Sequence, residues 1–155
     1  MEVYPHLHLP PCRLTTRQNE GRTDVFDIVR RRYVALTPEE WVRQHVVHAL
    51  HHHQGYPIEL MQVEGTIALG GLTKRCDIVV YNSQMQPLMI VECKKADVSI
   101  GQRVVDQICR YNQVLRVPYL FVTNGLDHLV LHADFEQQRL VQLAALPTWQ
   151  QLTQL

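Results

Sequence analysis

The stretch from Lys74 to Lys95, KRCDIVVYNSQMQPLMIVECKK, constrains the fold of this chain more than any other. Two apolar runs flank a polar segment of the kind found in turns, which predicts a β-hairpin. Charged side chains stand near the ends of the two strands: Asp77, Glu92 and Lys94. Because buried strands seldom carry charges, these three side chains indicate a functional site rather than an ordinary core hairpin.

Pairing of this hairpin is expected to bring two carboxylates together. A turn between residues 84 and 85 places Asp77 opposite Glu92. The other expected pairs are Val79 with Ile90 and Tyr81 with Leu88. Directly opposed side chains have Cβ atoms about 4.5–5.5 Å apart, so two facing carboxylates repel each other. A bound divalent cation would offset that repulsion, since Mg²⁺ prefers carboxylate oxygens and uses one or two of them.

Two further groups of the second strand lie close to the expected cation site. Lys94 is one pleat beyond Glu92, where its ammonium group could position or deprotonate a water, or stabilise charge that develops on a phosphate. The backbone carbonyl of Cys93 lies between them and is a candidate ligand. The alternative is a solvated strand end, in which Asp77 forms surface ion pairs with Lys94 or Arg75 that contribute only ~0–1 kcal/mol each.

The remaining elements predict a mixed α/β domain. Its central mixed sheet is expected to have four to five strands, flanked by helices, with accessory strands at both ends. Thr37 and Pro38 predict a helix start, and Gly70-Gly71 and Asn124-Gly125 predict turns. The expected helices span about 37–54 and 99–116, and the expected strands span 24–36, 58–69, 75–81, 88–94, 119–123, 128–132 and 139–143. The chain is divided into a core at about 37–125, N-terminal strands at 1–36, and a C-terminal hairpin and tail at 126–155, all in one domain, 1–155.

Composition limits the class of protein. The chain has 155 residues, 46% of them hydrophobic, and its 15 basic and 15 acidic residues balance. No apolar run is long enough to cross a bilayer, and no signal-like segment begins the chain, so a cytoplasmic protein is expected. Four cysteines without paired spacing are expected to be reduced. The neutral charge counts against tight nucleic-acid binding by this chain alone but permits a locally basic face.

These residues resemble the PD-(D/E)xK nuclease core. Cys76-Asp77 stands in place of Pro-Asp, and Glu92-Cys93-Lys94 matches ExK. Gln107 and Tyr111 form a QxxxY pair on the second expected helix. The strings PEEWVRQ, IVECKK, DQICRYN and VTNG occur in an order that resembles the N-terminal nuclease domain of type I restriction enzyme R subunits, over about residues 26–131.

The resemblance implies a restriction-endonuclease-like core for the α/β fold. It also implies Mg²⁺-dependent hydrolysis of DNA phosphodiester bonds, with Mn²⁺ as a substitute cation. It implies that Asp77 and Glu92 bind the metal, with the Cys93 carbonyl as a further ligand. Lys94 would be the catalytic lysine, and Gln107 and Tyr111 would orient the substrate or the site. Glu40 matches a helix glutamate of such sites. It is also the capping-box residue expected opposite Thr37, and Glu39 is a further candidate.

The chain departs from the R subunits because it contains no GxxxxGK[ST] phosphate loop. We therefore expect a stand-alone nuclease-like domain whose partners are DNA and a separate motor or specificity protein. A nucleic-acid-binding or regulatory module that keeps the fold without turnover is the alternative function. RNA or a branched junction is an alternative substrate.

Two other groups of side chains have simpler interpretations. His45, His48 and the run 51–53 have partly helical spacing, but no cysteine or acidic residue lies at a zinc-ligand interval, so a polar helix end is expected. The run 30–32 predicts a solvated face, which could also contact phosphates. Five other basic residues flank the expected site and are better placed to contact phosphates: Lys74, Arg75, Lys95, Arg103 and Arg110.

Overall fold

A computed structural model describes residues 4–154 and contains two sheets and three α-helices in that range. The strands are β1 (Thr16–Asn19), β2 (Arg22–Asp27), β3 (Arg32–Ala35), β4 (Met61–Leu69), β5 (Leu72–Tyr81), β6 (Pro87–Cys93), β7 (Tyr119–Thr123), β8 (His128–Asp134) and β9 (Arg139–Leu143). The helices are α1 (Pro38–His48), which continues into a wider π-type turn (Ala49–His53), α2 (Gln102–Leu115) and α3 (Trp149–Thr153). A short 3-10 turn (Ile58–Leu60) precedes β4.

The larger sheet has six strands in chain order, β4-β5-β6-β7-β8-β9. All neighbours are antiparallel except β6 and β7, which are parallel because α2 crosses over between them. One face of the sheet packs on Val42 and Val46 of α1 and on Leu50 of the π-type turn that follows it. The other face packs on α2 through Ile108 and Leu115. The mixed α/β class is therefore confirmed, with six strands in the main sheet where four to five were expected.

The register of the central hairpin is confirmed at its centre, where Val79 pairs with Ile90. The expected Tyr81–Leu88 pair is wrong, because a bulge after Val80 pairs Tyr81 with Pro87 instead. Regular pairing begins at Ile78 and Val91, one position short of the expected Asp77–Glu92 pair. The two strands thus separate where the charged residues begin, which opens space between them.

The start of α1 is confirmed. Thr37 is extended, and its Oγ1 accepts a hydrogen bond from the Glu40 backbone N–H at 3.1 Å. The single strand expected over 24–36 is wrong, because β2 and β3 form a hairpin that turns at residues 28–31. Arg31 and Arg32 are exposed, as expected, but Arg30 is not on a solvated face: its guanidinium lies 2.6 Å from Asp27 and 2.8 Å from Glu40.

The C-terminal part contributes more to the fold than its sequence suggested. β8 and β9 extend the main sheet, and the expected polar tail contains α3. Thr148 and Gln151 form a complete capping box at its start, and Leu152 is buried in the core. In residues 4–154 no helix is both long and apolar enough to cross a membrane.

Candidate active site

A cleft lies where β5 and β6 separate beside the first turns of α1. Three of the site residues expected from the sequence line it, Asp77, Glu92 and Lys94, together with Cys93. Among the described residues, four other charged side chains line the cleft. Glu39 and Arg75 were candidates from the sequence, whereas Arg43 and Glu64 were not. The fold therefore brings the D…ExK residues together in one polar cleft.

Asp77 is held by two hydrogen bonds of different origin. Its Oδ2 accepts the Cys93 backbone N–H at 2.8 Å, across the point where the two strands part. Its Oδ1 accepts Nη2 of Arg43, from α1, at 3.0 Å. Because each carboxylate oxygen has two lone pairs, both oxygens keep acceptor capacity toward the cleft.

Glu92 is the more deeply buried carboxylate of the pair. Burial and the nearby negative charge of Asp77 raise the pKa of Glu92 to about 7. The Tyr111 hydroxyl donates to its Oε1 at 3.0 Å, and the ammonium group of Lys74 lies 3.8 Å away. The protein thus places two interacting carboxyl groups together, and one of them gains a proton near neutral pH.

Lys94 begins the segment after β6 and is half-buried in the cleft. Its backbone N–H donates to the Thr123 carbonyl at 2.8 Å, which anchors it to the end of β7. In the part of the chain that the structure describes, its ammonium group forms no ion pair and no side-chain hydrogen bond. Lys94 is therefore a cation available to an anionic ligand.

The two helix glutamates have different surroundings. Only half of the expected capping box forms, because the buried Glu40 carboxylate accepts hydrogen bonds from Arg30, Arg43 and Gln44 instead of capping the helix. Glu39 reaches the cleft, and its side chain is 49% exposed. Burial and the charge of Asp77 raise the pKa of Glu39. Glu40 therefore supports the wall of the cleft, while Glu39 faces into it.

Arg43 is the site residue that the sequence did not reveal. Its guanidinium lies within 3.3 Å of four carboxylates: Glu39, Glu40, Glu64 and Asp77. Burial opposes its charge, but Glu40 and Asp77 outweigh burial and raise the pKa of Arg43. Its spacing of three and four residues from the helix glutamates was a visible signal, whereas its contact with Asp77 arises only on folding.

Glu64 is the second unforeseen residue, and its backbone is unusual. It lies inside β4 with φ of 56°, the left-handed region that residues other than glycine seldom adopt. Its carboxylate accepts from Arg75 at 2.6 Å and from Arg43 at 3.3 Å. Burial raises the pKa of Glu64, but these arginines outweigh that effect and lower it. Backbone strain of this kind persists only where surrounding contacts hold it.

The QxxxY pair has one member in the site. Tyr111 contacts Glu92, and its ring lies beneath the Lys74 ammonium at 4.9 Å from the centroid. Burial and Glu92 raise the pKa of Tyr111, so its hydroxyl remains a donor. Gln107 is exposed on α2, and its side chain forms no hydrogen bond within residues 4–154. Lys74 and Arg75 border the cleft, while three other basic side chains are exposed: Lys95, Arg103 and Arg110.

The donors of the cleft suit a hard cation. In residues 4–154 no three side chains of His, Cys, Asp and Glu converge as a metal cluster. Mg²⁺ does not require one, because it binds through one or two carboxylates and retains several waters. Asp77 and Glu92 could supply two such carboxylates, and their mutual repulsion would favour a divalent counter-charge. Zn²⁺ favours thiolate and imidazole ligands, but no histidine in the described part of the chain lines the cleft. Burial raises the pKa of the two cleft thiols, Cys76 and Cys93, which disfavours their thiolate forms.

The histidines do not form a second site. His45 is buried against Trp41, and its Nδ1 lies 2.8 Å from the Trp41 carbonyl. The rings of His48, His51 and His52 pack against one another in tilted orientations near the end of the helix. All four cysteines are free, and Cys76 and Cys93 are buried. These histidines form a polar helix end, as expected, except that His45 is buried.

Comparison with known proteins shows the family and the fold of this chain. The family model described as "Type I restriction enzyme R protein N terminus" matches residues 38–147. No curated protein matches the chain. One solved structure superposes on this chain with a TM-score of 0.54 at 23% identity. It is described as a fragment of an HsdR subunit of a type I restriction enzyme from Vibrio vulnificus YJ016. The two chains share the fold, which confirms the expected nuclease-like core. That similarity covers 76% of this chain and 24% of that one. Since the family match spans more than half of the residues, the chain belongs to the family of type I restriction enzyme R protein N-terminal domains.

Proposed function

We propose that this chain is a Mg²⁺-dependent endonuclease domain that hydrolyses DNA phosphodiester bonds. The observation that supports it best is the meeting of Asp77, Glu92 and Lys94 in one cleft, with the Tyr111 hydroxyl 3.0 Å from Glu92. Membership of the R-subunit family supports a nuclease rather than another phosphate-processing enzyme. DNA is the proposed substrate, and a separate motor or specificity protein is the proposed partner.

Each side chain has a distinct task in this proposal. Asp77 and Glu92 would hold the cation, with the Cys93 carbonyl as a candidate third ligand. When bound, the divalent cation supplies positive charge that stabilises the phosphate as it is attacked. Lys94 has no competing ion pair among the described residues, so its ammonium group is free to stabilise the oxygen charge that develops at phosphorus. Tyr111 orients Glu92 by donating to Oε1.

The test is plasmid nicking by the purified chain with Mg²⁺ or Mn²⁺. The wild-type protein should nick supercoiled DNA only with the cation, and Asp77→Asn, Glu92→Gln and Lys94→Ala should each reduce nicking by about 100-fold or more. The matched controls are Glu136→Gln and Arg139→Ala, exposed residues at the β8–β9 turn. Cleavage that persists in the three site variants, or no cleavage by wild type, would refute the proposal.

A nucleic-acid-binding module without turnover is the second candidate. Arg43 lies directly on Asp77, and in residues 4–154 no larger cluster of metal-binding side chains compensates for that coverage. Such a module would bind DNA with an affinity that falls when Lys74 or Arg75 is removed, yet would cut nothing. Gel-shift and nicking assays on the same preparations separate the two functions.

A further inference from the structure

The guanidinium of Arg43 has two ends with different partners. Nη1 contacts Glu40 at 2.9 Å and Glu64 at 3.3 Å. Nη2 contacts Glu39 and Asp77, each at 3.0 Å. The first end is thus attached to the wall of the cleft, and the second covers two carboxylates that face into it.

The contacts of Nη1 indicate that the fold is built to hold this group. Glu40 is buried. Glu64 has a left-handed backbone, with φ of 56°, and its carboxylate forms ion pairs with three arginines: Arg30, Arg43 and Arg75. Nε of Arg43 is buried without a hydrogen-bond partner. An unpaired buried donor is costly, so the favourable contacts of Nη1 and Nη2 must compensate for it.

We propose that Arg43 is a positioning residue that serves as the internal counter-cation of Asp77 and Glu39, and that its Nη2 leaves them when a divalent cation binds. The inference rests on the proposed function, since it requires Asp77 to be a cation ligand. Asp77 carries one negative charge that either the guanidinium or the cation can neutralise. Binding of one therefore weakens binding of the other, so the contact between Nη2 and Asp77 lowers the affinity of the cleft for the cation.

A merely structural arginine would behave differently, and the chain contains one for comparison. Arg30 is also largely buried and shares two of the carboxylates, at 2.8 Å from Glu40 and 3.6 Å from Glu64. Its remaining partner is Asp27, and it forms no ion pair with Asp77 or Glu39. Loss of either arginine removes a buried cation, but only loss of Arg43 uncovers the cleft carboxylates.

The experiment is calorimetric titration of Mn²⁺ into the full chain as wild type, Arg43→Gln and Arg30→Gln. Arg43→Gln should bind Mn²⁺ at least about tenfold more tightly than wild type, because a charge-assisted hydrogen bond no longer competes for Asp77. Arg30→Gln should stay within about threefold of wild type. Equal affinities in the two variants, or weaker binding by Arg43→Gln, would overturn the proposal.

A second measurement needs no variant, in case Arg43→Gln does not fold. In ¹⁵N-labelled wild-type protein, added Mg²⁺ should shift the guanidinium resonances of Arg43 and leave those of Arg30 in place. Unchanged Arg43 resonances at saturating Mg²⁺ would overturn the inference. If Arg43→Gln binds Mn²⁺ more tightly but the wild-type protein nicks no plasmid, the nuclease function alone is refuted. If the wild-type protein nicks plasmid with the cation but Arg43→Gln binds Mn²⁺ no more tightly than wild type, the role of Arg43 alone is refuted.

Discussion

Replacement of Glu92 by glutamine should remove a specific pH dependence from the stability of the metal-free protein. The carboxyl group has an ordinary pKa of 4.5 and a folded-state pKa of about 7. A raised pKa means that the folded protein binds the proton more tightly than the unfolded chain. The contribution of Glu92 to the free energy of unfolding is therefore fully present below pH 4.5 and is lost as the pH rises through about 7. At about 1.36 kcal/mol per pKa unit, the loss amounts to about 3 kcal/mol.

The assay is urea unfolding in EDTA at intervals from pH 4.5 to 8.5. Other groups titrate in this range, notably His45 and His48, whose pKa values burial lowers. The quantity to compare is therefore the difference in unfolding free energy between wild type and Glu92→Gln. The two proteins should be about equally stable at pH 4.5, and the variant should be about 3 kcal/mol more stable at pH 8. Glu136→Gln is the control, and it should follow wild type throughout.

The groups that face Glu92 determine the size of this effect. Asp77 adds to the effect of burial, while the Lys74 ammonium and the Tyr111 hydroxyl favour the ionised form. A difference that does not change with pH would show that Glu92 is solvated. A wild type that becomes relatively more stable as pH rises would show that these positive and donor groups prevail. Either result would refute the account of two interacting carboxylates.

Three further predictions concern Tyr111, Asp77 and Leu152. Tyr111→Phe should raise the folded-state pKa of Glu92 by about one unit, because it removes a hydrogen-bond donor to the carboxylate. The same urea unfolding series in EDTA would show the loss of stability moved to higher pH. Gln107→Ala, which loses no hydrogen bond, should leave that pH unchanged. Asp77→Ala should lower the unfolding free energy at pH 5 by about 2–4 kcal/mol, since it leaves a buried N–H and a guanidinium nitrogen short of acceptors, and urea unfolding would measure it. Leu152→Ala should cost about 2–4 kcal/mol if α3 closes the core, and a loss below about 0.5 kcal/mol would contradict that packing.

Local patterns predicted the hairpin and the helix start because both depend on near neighbours. Alternation of apolar residues set the pairing of Val79 with Ile90, and the Thr37-Pro38 pair marked the beginning of α1. The bulge after Val80 was not readable, since a one-residue shift leaves no mark in composition. The capping box of Thr148 and Gln151 was present in the sequence and could have revealed α3.

The composition of the cleft depended on contacts between distant segments. Arg43 and Asp77 are 34 positions apart, so nothing in the helix sequence showed that they would meet. Glu64 gave no signal either, because a left-handed residue is usually read from glycine or asparagine, and this position is a glutamate within a regular strand. Glu40 matched two patterns at once, and only the fold distinguished its ion pairs from a cap.

The proposed cation site is tested most directly by a crystal structure of the protein soaked with Mn²⁺, with data collected for the anomalous signal of manganese. One strong anomalous peak should lie in contact with carboxylate oxygens of both Asp77 and Glu92. The Glu92→Gln variant, soaked in the same way, should lose most of that peak. Absence of a peak in the wild-type cleft at saturating Mn²⁺, or a peak bound by other residues, would contradict the account.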